Sequence, residues 1–162
     1  MLFQYRSSTW VEVDRHSPRC GFHATPSGDQ FGIVTGTWTQ VLYQTETYDL
    51  GGDYTSGVTS TFTAPAAGEY LLTAVVSSTT SITDGTNTGA RFVKNGSTII
   101  GGARESAGGA HTVAINISAV VRLAKGDTVT VEFLHNNGSN LTLDGDGSTA
   151  VIPMHFSGAR LT

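Results

Sequence analysis

Apolar and polar residues alternate with a period of two over much of this chain. Tyr70, Leu72, Ala74 and Val76 share one face of the segment 69–78. Val113, Ile115 and Ile117 do the same within 112–123, and Val129, Val131 and Phe133 alternate with Thr128, Thr130 and Glu132 within 128–134. The stretch 38–48 reads as a further strand, with Trp38, Gln40, Leu42 and Gln44 on one face and Thr39, Val41 and Tyr43 on the other. Successive side chains of a strand point to opposite faces, so this pattern marks half-buried β-structure. No segment sustains an apolar period of 3.6 with caps at both ends, so a helical bundle does not fit.

Shorter strands are expected at residues 20–25, 58–63, 90–93 and 98–100, and the segment 150–161 closes the chain. Turn-rich stretches separate them at 26–29, 49–53, 83–88 and 136–147. Asn95-Gly96 is a strong hairpin signal, Lys125-Gly126-Asp127 a tight turn, and Pro65 to Gly68 a corner between two strands. Thr35-Gly36-Thr37 and Gly101-Gly102 read as turn glycines, because no helix follows either to make a phosphate loop. About ten strands at this spacing predict an all-β antiparallel two-sheet sandwich, with each sheet burying one face.

Composition supports that class. The 162 residues suit one domain, with 38% hydrophobic residues, only 14% charged and 20 glycines. Net charge is −4 and no basic run occurs, which argues against nucleic acid as a partner. No apolar run approaches the ~18 residues of a membrane span. The N-terminus lacks a basic stretch followed by an apolar one, so no signal peptide is expected. The single cysteine, Cys20, cannot form a disulfide within the chain and reads as a small apolar residue entering the first strand. Residues 1–19 read as an arm or attachment segment ahead of a domain at 20–162, with Trp10, Val11 and Val13 alternating with Glu12 and Asp14 in a short strand.

Candidate chemistry is sparse. No nucleophile elbow, metalloprotease helix or phosphate loop occurs, so catalysis is not expected. Asp144-Gly-Asp146 lies in a loop with Asn136, Asn137 and Asn140, and oxygen-rich loops of this kind can hold calcium, although the EF-hand pattern is missing. Asp49, Asp53 and Asp84 are further carboxylates on neighbouring loops. Trp38, Tyr43, Tyr48 and Tyr54 read as aromatics around one loop region, an exposed subset of which could stack on sugar rings. The ligand candidates are therefore Asn137, Asn140, Asp144, Asp146, Tyr48 and Tyr54. Phe22 and Phe156 alternate toward the core, so the adjacent His23 and His155 point the other way.

Five motifs carry a resemblance. Cys20-Gly-Phe22-His-Ala24, Phe62-x5-Gly68-x-Tyr70-x-Leu72, Phe92-Val-Lys94-Asn95-Gly96, Val121-x-Leu123-x-x-Gly126-Asp127-x-Val129 and Phe156-Ser157-Gly158-x-x-Leu161 follow one another in order. Over residues 20–162 the chain resembles the complement C1q and tumour-necrosis-factor-like jelly roll. It departs from that family where Leu72 replaces a second aromatic and where Thr55 and Tyr54 displace an upstream one. No Gly-X-Y segment precedes the domain, so a soluble defence collagen is not expected.

The resemblance implies a jelly roll whose first and last strands pair in an inner sheet. It implies a homotrimer built on the outer face of that sheet, which would bring copies of His23 and His155 together. There they would form a metal-binding or pH-sensitive cluster, or a neutral hydrogen-bonded interface. It implies binding rather than catalysis. The Ser-, Thr-, Gly- and Asn-rich composition turns the expectation toward a virion-surface protein: a phage head spike, fibre tip or tail knob that recognises a host surface polysaccharide. Residues 1–19 would then dock it to the larger particle. The alternatives are a bacterial exosporium or surface-layer structural protein on the cell or spore surface, or a soluble lectin-like or cytokine-like module.

Overall fold

The computed structural model of this chain describes residues 3–6, 9–12, 20–147 and 153–161. Two short strands, β1 (Phe3–Arg6) and β2 (Thr9–Glu12), pair antiparallel with each other and join neither sheet of the domain that follows. Trp10 and Val11 thus fall on the expected strand, while Val13 lies outside the described residues.

The domain contains β3 (Gly21–Thr25), β4 (Gln30–Ile33), β5 (Thr39–Gln40), β6 (Thr45–Asp49), β7 (Tyr54–Thr55), β8 (Thr61–Thr63) and β9 (Gly68–Ile82). It continues with β10 (Asn87–Lys94), β11 (Thr98–Ser106), β12 (His111–Leu123), β13 (Thr128–His135), β14 (Leu141–Leu143) and β15 (His155–Arg160). The first sheet runs β6–β3–β15–β9, with β12 and then β14 and β4 completing it beyond β9. The second runs β11–β10–β13–β8–β7, with β5 also on β13. The chain crosses between the two sheets repeatedly, after β4, β5, β6, β8, β9, β11, β12 and β13, and neighbouring strands are antiparallel. The result is a jelly-roll sandwich.

Its core is built from rings supplied by both sheets. Phe22 on β3 stacks on Phe62 of β8 and Tyr54 of β7, each with ring centroids 4.9 Å apart. Phe156 on β15 meets Phe22 edge-on, also at 4.9 Å. Gly158 permits this close approach, because a Cβ there would lie 2.5 Å from the Phe22 ring. The motifs meet in space beside this stack, where the Tyr70 ring lies 5.6 Å from that of Phe62. Tyr70 Oη donates to Ala66 O at 2.6 Å, and Gly126 N donates to Ala64 O. Asn95, at φ 51°, and Gly96, at φ 71°, form the hairpin between β10 and β11. Asn95 Nδ2 donates to Asp127 Oδ1 at 2.8 Å, and Ala124 N donates to Asp127 Oδ2 at 2.9 Å. Those bonds, Asn95's first, hold the Asp127 carboxyl below the usual carboxylate range.

Several elements differ from the alternation. Residues 38–48 are not one strand but β5 and β6 in different sheets, with an irregular bridge between them. The bridge satisfies its backbone through side chains: Leu42 N donates to Gln30 Oε1 and Tyr43 N to Ser60 Oγ. Gly101-Gly102 lies inside β11 rather than at a turn. The loop 136–147 contains β14, and Val58 is exposed ahead of a β8 that begins only at Thr61.

Candidate functional site

Two features emerge around the candidate residues: the outward face of the first sheet and a carboxylate cluster at one edge of it. The face is set by the alternation that buries Tyr70, Leu72, Phe22 and Phe156. Their neighbours point away from the core, and the register aligns them into rows. One row runs Tyr48, His23, Ser157, Thr73 and Ser118 across five strands. The next runs Gly21, Ala159, Leu71 and Val120, with Leu50 packed over Gly21. Leu50, Leu71 and Val120 are 65%, 38% and 63% exposed, so an apolar band lies open on this face.

His23 and His155 come together within one chain, because β3 and β15 pair side by side. Their rings stack with centroids 5.4 Å apart, and His23 stacks on Tyr48 at 6.0 Å. His23 Nδ1 shares a hydrogen bond of 2.6 Å with Ser157 Oγ. Burial, and secondarily the neighbouring His155, lowers the His23 pKa below its ordinary value.

Asp144 and Asp146 are joined by a residue that sequence reasoning left in a plain turn. Asp29, Asp144 and Asp146 each offer a carboxylate oxygen, and the three atoms lie within 4.8 Å of one another. Gly145 N donates to Asp29 Oδ1 at 2.9 Å, which ties the 26–29 turn to the loop before the last strand. Three oxygens supply about half the shell that calcium takes. Asp49, Asp53 and Asp84 lie outside this cluster. Asp49 instead accepts from Gly52 N and Tyr54 N, closing its own loop. Asp53 stands beside Cys20, whose thiol is pushed up to about 12, first by burial and then by that carboxylate. The thiol therefore stays protonated and unreactive.

The other candidates scatter. Tyr54 is a correction: it is buried, stacks on Phe22, and its Oη donates to Tyr43 O at 2.9 Å, so it cannot stack on a sugar. Tyr43 is likewise a core residue. Tyr48 is half exposed on the first sheet, and Trp38 lies against the second, so the four aromatics do not share a loop region. Asn137 Oδ1 accepts from Thr83 N at 2.9 Å and from the Thr83 and Thr86 hydroxyls, stapling two loops. Asn140 is exposed.

Sequence reasoning missed the apolar band. The signal was present in the doublets Leu71-Leu72 and Val120-Val121, since two adjacent apolar residues in one strand place apolar surface on both faces.

No protein-family model matches the chain, and no curated protein matches it. Solved structures do. The globular domain of a zebrafish complement C1qA protein aligns with a TM-score of 0.62 at 14% identity, covering 88% of this chain and 98% of that one. Murine APRIL at pH 5.0 aligns with a TM-score of 0.62 at 18% identity, over 88% and 99%. Eiger, a TNF from S. frugiperda, aligns at 0.64 and 11% identity, over 90% and 94%. The chain has a C1q/TNF-like fold. At these identities the likeness is one of fold.

Proposed function

We propose that this chain is a non-enzymatic homotrimeric module that forms part of a virion surface and binds a host cell-surface polysaccharide. The observation that carries the trimer is the open apolar band Leu50–Leu71–Val120 on the first sheet. An exposed apolar stripe in a small β-sandwich costs solvation and invites aggregation unless a partner covers it. Closed rotational symmetry covers such a stripe on every copy and leaves none for further growth. The row beneath it, with Tyr48, His23, Ser157, Thr73 and Ser118, supplies polar groups and rings to the same contact. The β1–β2 hairpin supports attachment, since among the described strands it pairs with none of the sandwich.

Sedimentation of the full chain tests the assembly. A species of three chains is expected, and a monomer at micromolar concentration overturns the reading. Imaging the native particle with an antibody to residues 20–162 tests the location. Label on a virion is expected; label confined to a bacterial cell or spore surface overturns that half of the proposal.

A further inference from the structure

The outward face of the second sheet carries a depression of about 370 Å³, within the ~300–1,000 Å³ range of small-ligand sites. Trp38, Arg91, Ile99, Gly102 and Arg104 line it. Arg91 projects from β10 with its guanidinium 3.9 Å from the centre of the Trp38 ring. Glu132 on β13 fixes that guanidinium, accepting from Nε at 2.8 Å and lying 2.7 Å from Nη2. The cation therefore locks the indole, and Glu132 neutralises the cation. Gly89 lets the indole and the Arg104 stem come down onto the sheet, since a Cβ there would lie 3.2 Å from Trp38 Cη2 and 3.1 Å from Arg104 Cγ. Gly102 leaves the floor bare.

Arg104 differs from Arg91. It pairs across β10–β11 with Gly89, is exposed, and stands 5.8 Å from the Trp38 ring centre. It makes no hydrogen bond or ion pair to any described residue. The depression thus holds a rigid aromatic ring, a neutralised cation and one guanidinium with its donors unused, in a chain of net charge −4.

We infer that this depression binds the carboxylate-bearing ring of an acidic saccharide, a hexuronate. The carboxylate takes the Arg104 fork, which matches it in shape and charge. The C–H face of the pyranose lies against the indole surface lining the depression, which offers apolar contact without further hydrogen bonds. Arg104, the one uncompensated charge among the described residues lining the depression, selects a monoanion. The open form suits one ring within a longer chain. The inference rests on the reading of this protein as a saccharide binder and moves the site from the loops to the β10–β11 face.

Calorimetric titration of the full chain tests it, with a galacturonic acid tetrasaccharide and its carboxyl-reduced neutral counterpart as probes. Saturable binding of the acid form is expected, weakening as salt rises. Arg104→Gln, at an exposed position that leaves the fold intact, should weaken the acid form about tenfold and leave the neutral form unchanged. The Trp38 indole N–H resonance should shift with the acid form. Equal binding of both tetrasaccharides, with Arg104→Gln silent, overturns this site and leaves the saccharide reading standing. Failure to bind either one overturns the site, and saccharide binding with it if native host polysaccharide also fails. Arg104-dependent binding of an acidic peptide in place of the acid saccharide overturns the ligand class.

Discussion

The two outward faces of the sandwich solve opposite problems. On the first sheet, Leu50, Leu71 and Val120 stand open with nothing polar between them. On the second, Arg91, Glu132 and Arg104 surround an indole, and the Arg91–Glu132 ion pair is tied to the ring it covers. A face that leaves aliphatic side chains in water is stable only when another surface removes them from it. A face that presents charge and one locked ring around a lone exposed Ile99 side chain is stable in water as it is. The first needs a protein partner. The second can wait for a small ligand. The same core rings support both, so a variant on either face should leave the other unchanged.

The largest expected effect breaks the first face. Val120→Asp places a carboxylate in the apolar band, and sedimentation should show complete loss of the trimer. Denaturant unfolding of the resulting monomer should change by only about 0.5 kcal/mol, because the site is exposed within one chain. If Val120→Asp stays trimeric, the band is not the contact.

Two glycines sharpen the difference further. Gly158→Ala faces the closed core, where the new methyl would meet the Phe22 ring at 2.5 Å and Leu72 at 2.9 Å. We expect a loss of about 1–3 kcal/mol in denaturant titration. Gly89→Ala meets most closely the Trp38 edge and the Arg104 stem, which can shift toward solvent, and touches Ala103 O at 3.4 Å. Its stability cost should be smaller, with the change appearing as a displaced Trp38 indole resonance. Equal costs would mean that the indole is as tightly enclosed as the core.

Long strands were legible in the sequence, as was the five-residue β3, but several of the shortest were not. Strands β9, β12 and β13 carry several turns of alternation each, so their period stands out over local noise. Strands β5 and β7 have two residues and β14 has three, too few to show a period at all. The break inside 38–48 was invisible for a different reason. Val41 and Tyr43 are both buried, as strand alternation requires, yet Gln30 and Ser60 occupy the backbone donors that a strand partner would take. Alternation turned His23 and His155 outward, while the meeting of their strands was implied by the resemblance alone and is seen in the β3–β15 pairing. The Asp29–Asp144 contact did not, because it joins turns far apart in sequence, and no local pattern encodes that meeting. Trp38 was read as one of a loop cluster because its partner Arg91 sits on a strand whose outward residues carry no signature of their own.

The smallest effect concerns protons on the first face. His23 is half-buried, stacked between Tyr48 and His155, with Ser157 on Nδ1 and no carboxylate of the described residues bonded to its ring. Burial, and then His155, lowers its pKa from the ordinary 6.5. A histidine whose folded pKa is depressed binds its proton more readily when unfolded. Its neutral form contributes fully above the unfolded value, and that contribution is lost as pH falls below 6.5 toward the folded value. The Val120→Asp monomer isolates this from assembly. Its unfolding midpoint should fall between about pH 7 and pH 5. His23→Gln should flatten that slope, and His155→Gln should reduce it by removing the second cause while leaving burial in place. A slope that His23→Gln leaves untouched would assign the acid sensitivity to another group, and the stacked pair would be a packing feature of this face with no role in its response to pH.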